Sequence, residues 1–216
     1  MDGGPRIRRA SQRERVPCGG HVLSADEWQV FLDALARRNA EGWPKARPPR
    51  GYPVRADYLP KESEAARVVR GADGLPALRL VDAGDRLSLR LIEGGDLVNP
   101  KGSGLRAVGL VTTYARGATF FAPTFRTADL RKGRPVELRR EPDNPHDRNA
   151  VALHGPGARK PFAYVQRGKA ATVARRIDAG ESLGGVCLWG PAPGRDDDSA
   201  FIAIGSLGDL LALLRD

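Results

Sequence analysis

Arg139-Arg140-Glu141-Pro142-Asp143-Asn144-Pro145-His146-Asp147-Arg148-Asn149-Ala150-Val151-Ala152-Leu153 joins two strand-like runs through a polar loop too elaborate for a plain turn. Pro142 and Pro145 each fix their own φ and push the preceding residue toward an extended conformation, so Glu141 and Asn144 are expected outside helical geometry. Asp143, Asn144, Asp147 and Asn149 are residues whose side chains bond nearby backbone donors. Such a loop satisfies its own amides while projecting His146 and Asp147 outward. Pro142, Asn144, Pro145 and Asn149 are read as its structural members. By composition alone it also reads as an ordinary Asx/Pro turn.

Outward from the loop, short apolar runs bounded by turn residues predict strands over 107–113, 118–125, 135–140, 149–154, 162–166 and 182–188. Gly133 and Gly155-Pro156-Gly157 mark turns between them. Ala170, Val173, Ala174 and Ile177 recur at helical spacing, with Gly180 placed to end that helix in a left-handed conformation. Short strands interrupted by one helix predict an α+β, mostly β domain built as a small, partly closed barrel.

The run R-E-P-D-N-P-H-D-R-N-A-V-A-L, residues 140–153, resembles the signature of the HIRAN domain family. Val108-Gly109-Leu110 upstream and Phe162-Ala163-Tyr164-Val165-Gln166-Arg167 downstream fall where that family has related elements, so the resemblance covers roughly residues 104–188. It implies a modified OB-like β-barrel and a module that binds single-stranded DNA at its free 3′ end, in DNA repair, replication or related processing. Asp147 matches the family aspartate that accepts the terminal hydroxyl, and His146 stands where the family more often has tyrosine. Tyr164 follows Ala163, where the family usually has glycine and then often histidine. Arg167 matches a basic residue near the terminal phosphate, and Lys169 joins it in the expected nucleic-acid site. After the Val-Gly-Leu element this chain has Val111-Thr112 in place of an Arg-Tyr pair, which leaves Tyr114 and Arg116 as the substitute ring and cation. The physical logic of end recognition is independent of the resemblance. A carboxylate accepts a hydrogen bond from a free hydroxyl and repels a phosphodiester at the same point.

The charge pattern points the same way. The chain of 216 residues carries a net charge of +9, which suits a polyanionic partner. Residues 101–176 hold sixteen Lys and Arg against five Asp and Glu, a balance of +11, whereas residues 177–216 hold two against seven, a balance of −5. The first hundred residues contribute +3. The basic charge is therefore concentrated on the segment that carries the signature. Two other readings belong to different classes. Asp143, His146, Asp147 and Glu141 could hold Mg²⁺ or Mn²⁺ in a nuclease, although the loop already uses such side chains as caps. An adaptor would use the basic face to dock an acidic protein. No G-x-x-x-x-G-K-[ST] occurs, so the chain is not expected to be a motor by itself. With no second acidic cluster for a two-metal site and no other catalytic motif, neither an enzyme nor a metal or cofactor is expected; a helicase or nuclease is the kind of protein partner expected.

Two cysteines, Cys18 and Cys187, far apart in sequence, fit a reducing compartment. With no apolar run of membrane-spanning length, the expectation is a cytoplasmic, nucleoid-associated protein without a membrane.

The rest divides as follows. Residues 1–20, with five arginines and little apolar content, are expected to be a flexible basic arm. Residues 21–100 are expected to hold a helix, a connector and a hairpin. Ser24-Ala25-Asp26-Glu27 reads as a capping box opening a helix whose Trp28, Phe31, Leu32 and Leu35 face inward. A Pro- and Arg-rich connector carries Trp43, Tyr52 and Tyr58 among cations, as stacking platforms or as staples to the core. The hairpin runs over 77–92, with Leu87, Leu89 and Leu91 alternating against a wet face. The barrel is placed at 101–190. Residues 191–216 are read as an acidic loop, a strand and a closing helix capped by Ser206.

Overall fold

The computed structural model describes residues 25–46, 58–117, 119–197 and 199–215. The basic arm, Ser24 of the capping box, Cys18 and Tyr52 lie outside them.

The sequence motif folds into part of a closed antiparallel barrel of six strands, β4 (Val111–Arg116), β5 (Pro135–Arg140), β6 (Val151–His154), β7 (Ala163–Val165), β8 (Leu183–Trp189) and β9 (Phe201–Ser206). They neighbour one another in the order β4-β7-β6-β5-β8-β9, and β9 returns to β4 through Val111↔Ile204 to Tyr114↔Phe201. The fold is mostly β with a few helices, as expected, and the barrel is closed where a partly closed one was predicted. Closure uses β9, so a boundary at residue 190 cuts through the barrel.

Alternation along the strands decides what lies inside. Val111 and Ala115 of β4, Val136 and Leu138 of β5, Val151 and Leu153 of β6 and Ile202 and Ile204 of β9 share one core within the barrel. The opposite faces of β8 and β9, with Val186, Leu188, Phe201 and Ala203, belong to a second core. That core is completed by the first hundred residues. A three-stranded sheet of β1 (Leu78–Asp82), β2 (Leu87–Leu91) and β3 (Leu97–Val98) supplies Leu78, Leu80, Leu87, Leu89, Leu91 and Val98. Helix α1 (Ala25–Glu41) adds Phe31 and Leu35, and α5 (Leu207–Ala212) adds Leu207 and Leu210. Side chains pointing out of the barrel on these two strands are thus as dry as those pointing in.

Several sequence expectations shift by local chemistry. The strand expected at 107–113 starts only at Val111, because Gly104–Val108 winds into a 3₁₀ turn closed by Gly109 at φ 76°. A glycine suits that left-handed position, and a Cβ there would lie 2.6 Å from Arg70 Nη2 and 3.0 Å from Asp209 Oδ2. The strand expected at 118–125 is instead a turn at Gly117 followed by α3 (Ala122–Thr127). Pro123 lies in the first turn of α3, where its missing N–H costs nothing; in a ladder it would have removed a donor. The strand expected from 149 begins at Val151, since the N–H of Asn149 is taken by Asp147. Helix α4 (Arg167–Asp178) ends as predicted at Gly180, φ 86°, with the N–H of Gly180 on Ile177 O and that of Glu181 on Arg176 O. The Ser206 hydroxyl accepts from Asp209 N at 3.1 Å, capping α5.

The hairpin does not keep a wet face. Val81 and Ser88 on its far side are buried, and Ala46 and Tyr58 from the two ends of the connector pack there with Val81 and Leu97. Trp43 is buried, so it and Tyr58 act as staples to the core. Ahead of β1 in the chain, α2 (Lys61–Arg67) leads to Arg70, whose guanidinium bonds both oxygens of buried Asp209 at 2.7 and 2.9 Å and also Val108 O. This pair ties the N-terminal part to α5. Among the described residues, no helix is long and apolar enough to cross a membrane.

Candidate nucleic-acid interface

The polar loop is closed at its base by Glu141 N–H on Ala150 O (3.0 Å) and Ala150 N–H on Asp147 O (2.8 Å). Asn144 does most of the side-chain work: its Oδ1 accepts from His146 N at 3.0 Å and its Nδ2 donates to Glu141 Oε2 at 2.9 Å. Asp147 Oδ1 accepts from Asn149 N at 2.8 Å. Asn149 thus serves through its backbone, and the side chain that organises the loop is that of Asn144. Pro142 and Pro145 are exposed on its rim, His146 is exposed at its outer turn, and Asp147 is half-buried. Arg140 fastens the loop from below, donating to Ala150 O and to the Asp178 carboxylate at the end of α4.

Tyr164 connects this loop to the barrel. Its hydroxyl donates to the same Glu141 Oε2 at 2.7 Å, and β7 pairs it with Arg116 on β4 and Ala152 on β6. Alternation puts Arg116 and Tyr164 together on the outer face, because Ala115 and Val165 point into the core. Burial, and then the neighbouring Glu141 carboxylate, push the Tyr164 phenol up to about 12. The Phe121 ring lies 5.5 Å from the Tyr164 ring.

Arg116 is exposed and its guanidinium sits 5.2 Å from the centre of the Tyr114 ring, where the Lys101 ammonium also lies at 5.2 Å. Tyr114 itself packs on Phe201 at 4.8 Å and Trp189 at 6.0 Å. The ring expected to substitute for the missing family tyrosine is therefore a wall of the second core, with cations over it. Immediately after Tyr164, Gln166 N–H donates to Thr113 Oγ1 at 3.0 Å, anchoring the start of α4 against β4. Arg167, exposed, and Lys169, half-buried, occupy its first turn, which has no acidic residue. Cations at the positive end of a helix oppose its dipole, an arrangement that an anion relieves.

The structure pairs Tyr164 with Arg116 on the outer face of the barrel, ties Tyr164 through Glu141 to the loop bearing His146 and Asp147, and sets Tyr114 against the second core, while Arg167 and Lys169 follow Tyr164 in the chain at the start of α4. Sequence reasoning missed Glu141 as the hub of the loop, and Phe120 and Phe121, whose place in a turn was signalled only by Pro123. Glu141 is engaged by Tyr164 and Asn144, and among the described residues no three His, Cys, Asp or Glu side chains converge as metal ligands.

In class, this is a mostly β α+β protein built on a small closed six-stranded barrel. No family model and no curated protein matches the chain. Two solved structures are similar to part of it. The crystal structure of a protein from Lactobacillus plantarum shares 22% identity, covering 44% of this chain and 92% of that one, with a TM-score of 0.36. The crystal structure of the HIRAN domain of human HLTF shares 17% identity, covering 49% of this chain and 83% of that one, also with a TM-score of 0.36.

Proposed function

We propose that this protein is a non-catalytic nucleic-acid-binding module that takes single-stranded DNA on the outer face of its barrel and reads a free 3′ end there. The observation that carries this reading is the convergence on one outer face of an exposed cation, Arg116, a ring, Tyr164, and a self-supported loop, followed directly by the basic first turn of α4. Rings that stack on bases beside cations that neutralise phosphates are what a single strand requires. The +11 balance of residues 101–176 and the likeness of residues 140–153 to the HIRAN signature support the same conclusion.

In this mechanism Arg167 and Lys169 hold a phosphate, Tyr164 and His146 flank the terminal nucleotide, and Asp147 accepts the 3′ hydroxyl. Asp147 Oδ1 is held by Asn149 N, which fixes the carboxylate so that its other oxygen is presented in a defined direction. Affinity then comes from charge and end selectivity from one contact. The test is anisotropy of labelled single strands and duplexes of DNA and RNA, bearing 3′ hydroxyl or 3′ phosphate, against salt. Single-strand affinity should fall with salt at a log–log slope of roughly −0.7 per phosphate neutralised. Asp147→Ala should erase the preference for the 3′ hydroxyl and keep the salt-dependent affinity. A flat salt response refutes nucleic-acid binding, and equal binding of free and blocked ends by the unaltered protein refutes end recognition.

A further inference from the structure

Phe120 is 89% exposed, far beyond the other large apolar side chains at the surface of the described residues, Val30, Val69 and Ile92, at 43–56%. Its neighbour Phe121 is turned inward onto Tyr164. The difference is built by the turn that follows Arg116. Both Phe120 N–H (2.9 Å) and Phe121 N–H (3.3 Å) point to Gly117 O, and the two rings flank Gly117, each within 4 Å of where a Cβ would stand. One ring is thus spent on holding the turn against Tyr164, and the other is left facing water beside it.

We infer that Phe120 is a stacking platform for an unpaired nucleobase, continuing the strand path from Tyr164 and Arg116 across the Gly117 turn. This rests on the nucleic-acid reading given above and adds a residue that the sequence signature does not contain. A protein partner would call for a contiguous apolar patch of several hundred Å². Phe120 is instead a single flat ring, separated in the chain from the exposed cation Arg116 by the Gly117 turn that its ring flanks, with Thr119 and Pro123 exposed on either side of it in sequence. That pairing fits one base and its phosphate, because every base offers a π face and every linkage a charge. A base inside a duplex is already stacked on both faces, so the ring favours single strands over duplexes.

The test uses the full chain and a short oligodeoxythymidylate carrying one 2-aminopurine, alongside a duplex of the same length. Phe120→Ala should weaken single-strand binding roughly tenfold, as loss of one stacked base does. Duplex binding should be unchanged, and Phe120→Trp should restore single-strand affinity. The 2-aminopurine fluorescence should be quenched by the wild type and by Phe120→Trp and not by Phe120→Ala. Equal single-strand affinity for wild type and Phe120→Ala, with Tyr164→Ala and Arg167→Ala both impaired in the same assay, overturns this inference alone. Absence of single-strand binding by the wild type overturns the function on which it rests. A change in sedimentation on Phe120→Ala with no change in DNA binding makes the ring a self-association contact and also overturns it.

Discussion

Replacing Tyr164 by Phe separates the two jobs of this side chain. The ring stays, with its packing on Phe121, and only the hydroxyl that donates to Glu141 Oε2 at 2.7 Å is lost. A hydrogen bond to a charged group contributes about 1.5–3 kcal/mol. Glu141 is half-buried and keeps Asn144 Nδ2 at 2.9 Å, which places the expected loss around and below the lower bound of that range, about 1–2 kcal/mol. For a protein of this length that is a fall in Tm of about 2–8 °C. Single-strand affinity should change little in Tyr164→Phe, whereas Tyr164→Ala should lose a further 1–3 kcal/mol or so of stacking. A third readout is alkaline titration at the phenolate absorbance. The folded phenol lies at about 12 against an ordinary value near 10, so the stability it contributes is complete below the ordinary value and is lost as pH rises through about 12. Tyr164→Phe should lack that alkaline loss. If it melts with the wild type, the phenol does not hold the loop; if it loses as much DNA affinity as Tyr164→Ala, the hydroxyl and not the ring makes the contact.

Gly109→Ala should destabilise the chain by about 2–4 kcal/mol in urea, since it forces a left-handed alanine and drives a Cβ into the Arg70–Asp209 pair; an unchanged midpoint would refute the role given to that glycine. His154, buried on β6 with Nδ1 3.1 Å from Ala158 O, is held below its ordinary pKa first by burial and then by Arg139. Its neutral ring therefore stabilises the fold above the ordinary value of about 6.5, and that contribution is lost as pH falls through the lower folded value. Thermal melts between neutral and acid pH should show a steeper loss for the wild type than for His154→Gln, and parallel profiles would sink the argument.

What could be read from the sequence is what neighbouring residues settle among themselves. Strand β5 at Pro135–Arg140, the loop of Asx and proline residues after it, and α4 with its glycine stop each depend on interactions spanning a few positions, and each appears where the pattern put it. The concentration of basic charge is likewise a property of the chain alone. Phe120 and Phe121 were misread because two aromatic residues favour a strand, and only Pro123 argued against it. The tertiary structure decided the rest. Tyr164 meets Glu141 across 23 positions, and Arg70 meets Asp209 across 139, distances over which local preference carries no information. It also decided that β9 closes the barrel and that the outward faces of β8 and β9 are dry. Alternation in a strand says that it has two faces; which of them meets water depends on what the first hundred residues lay against it.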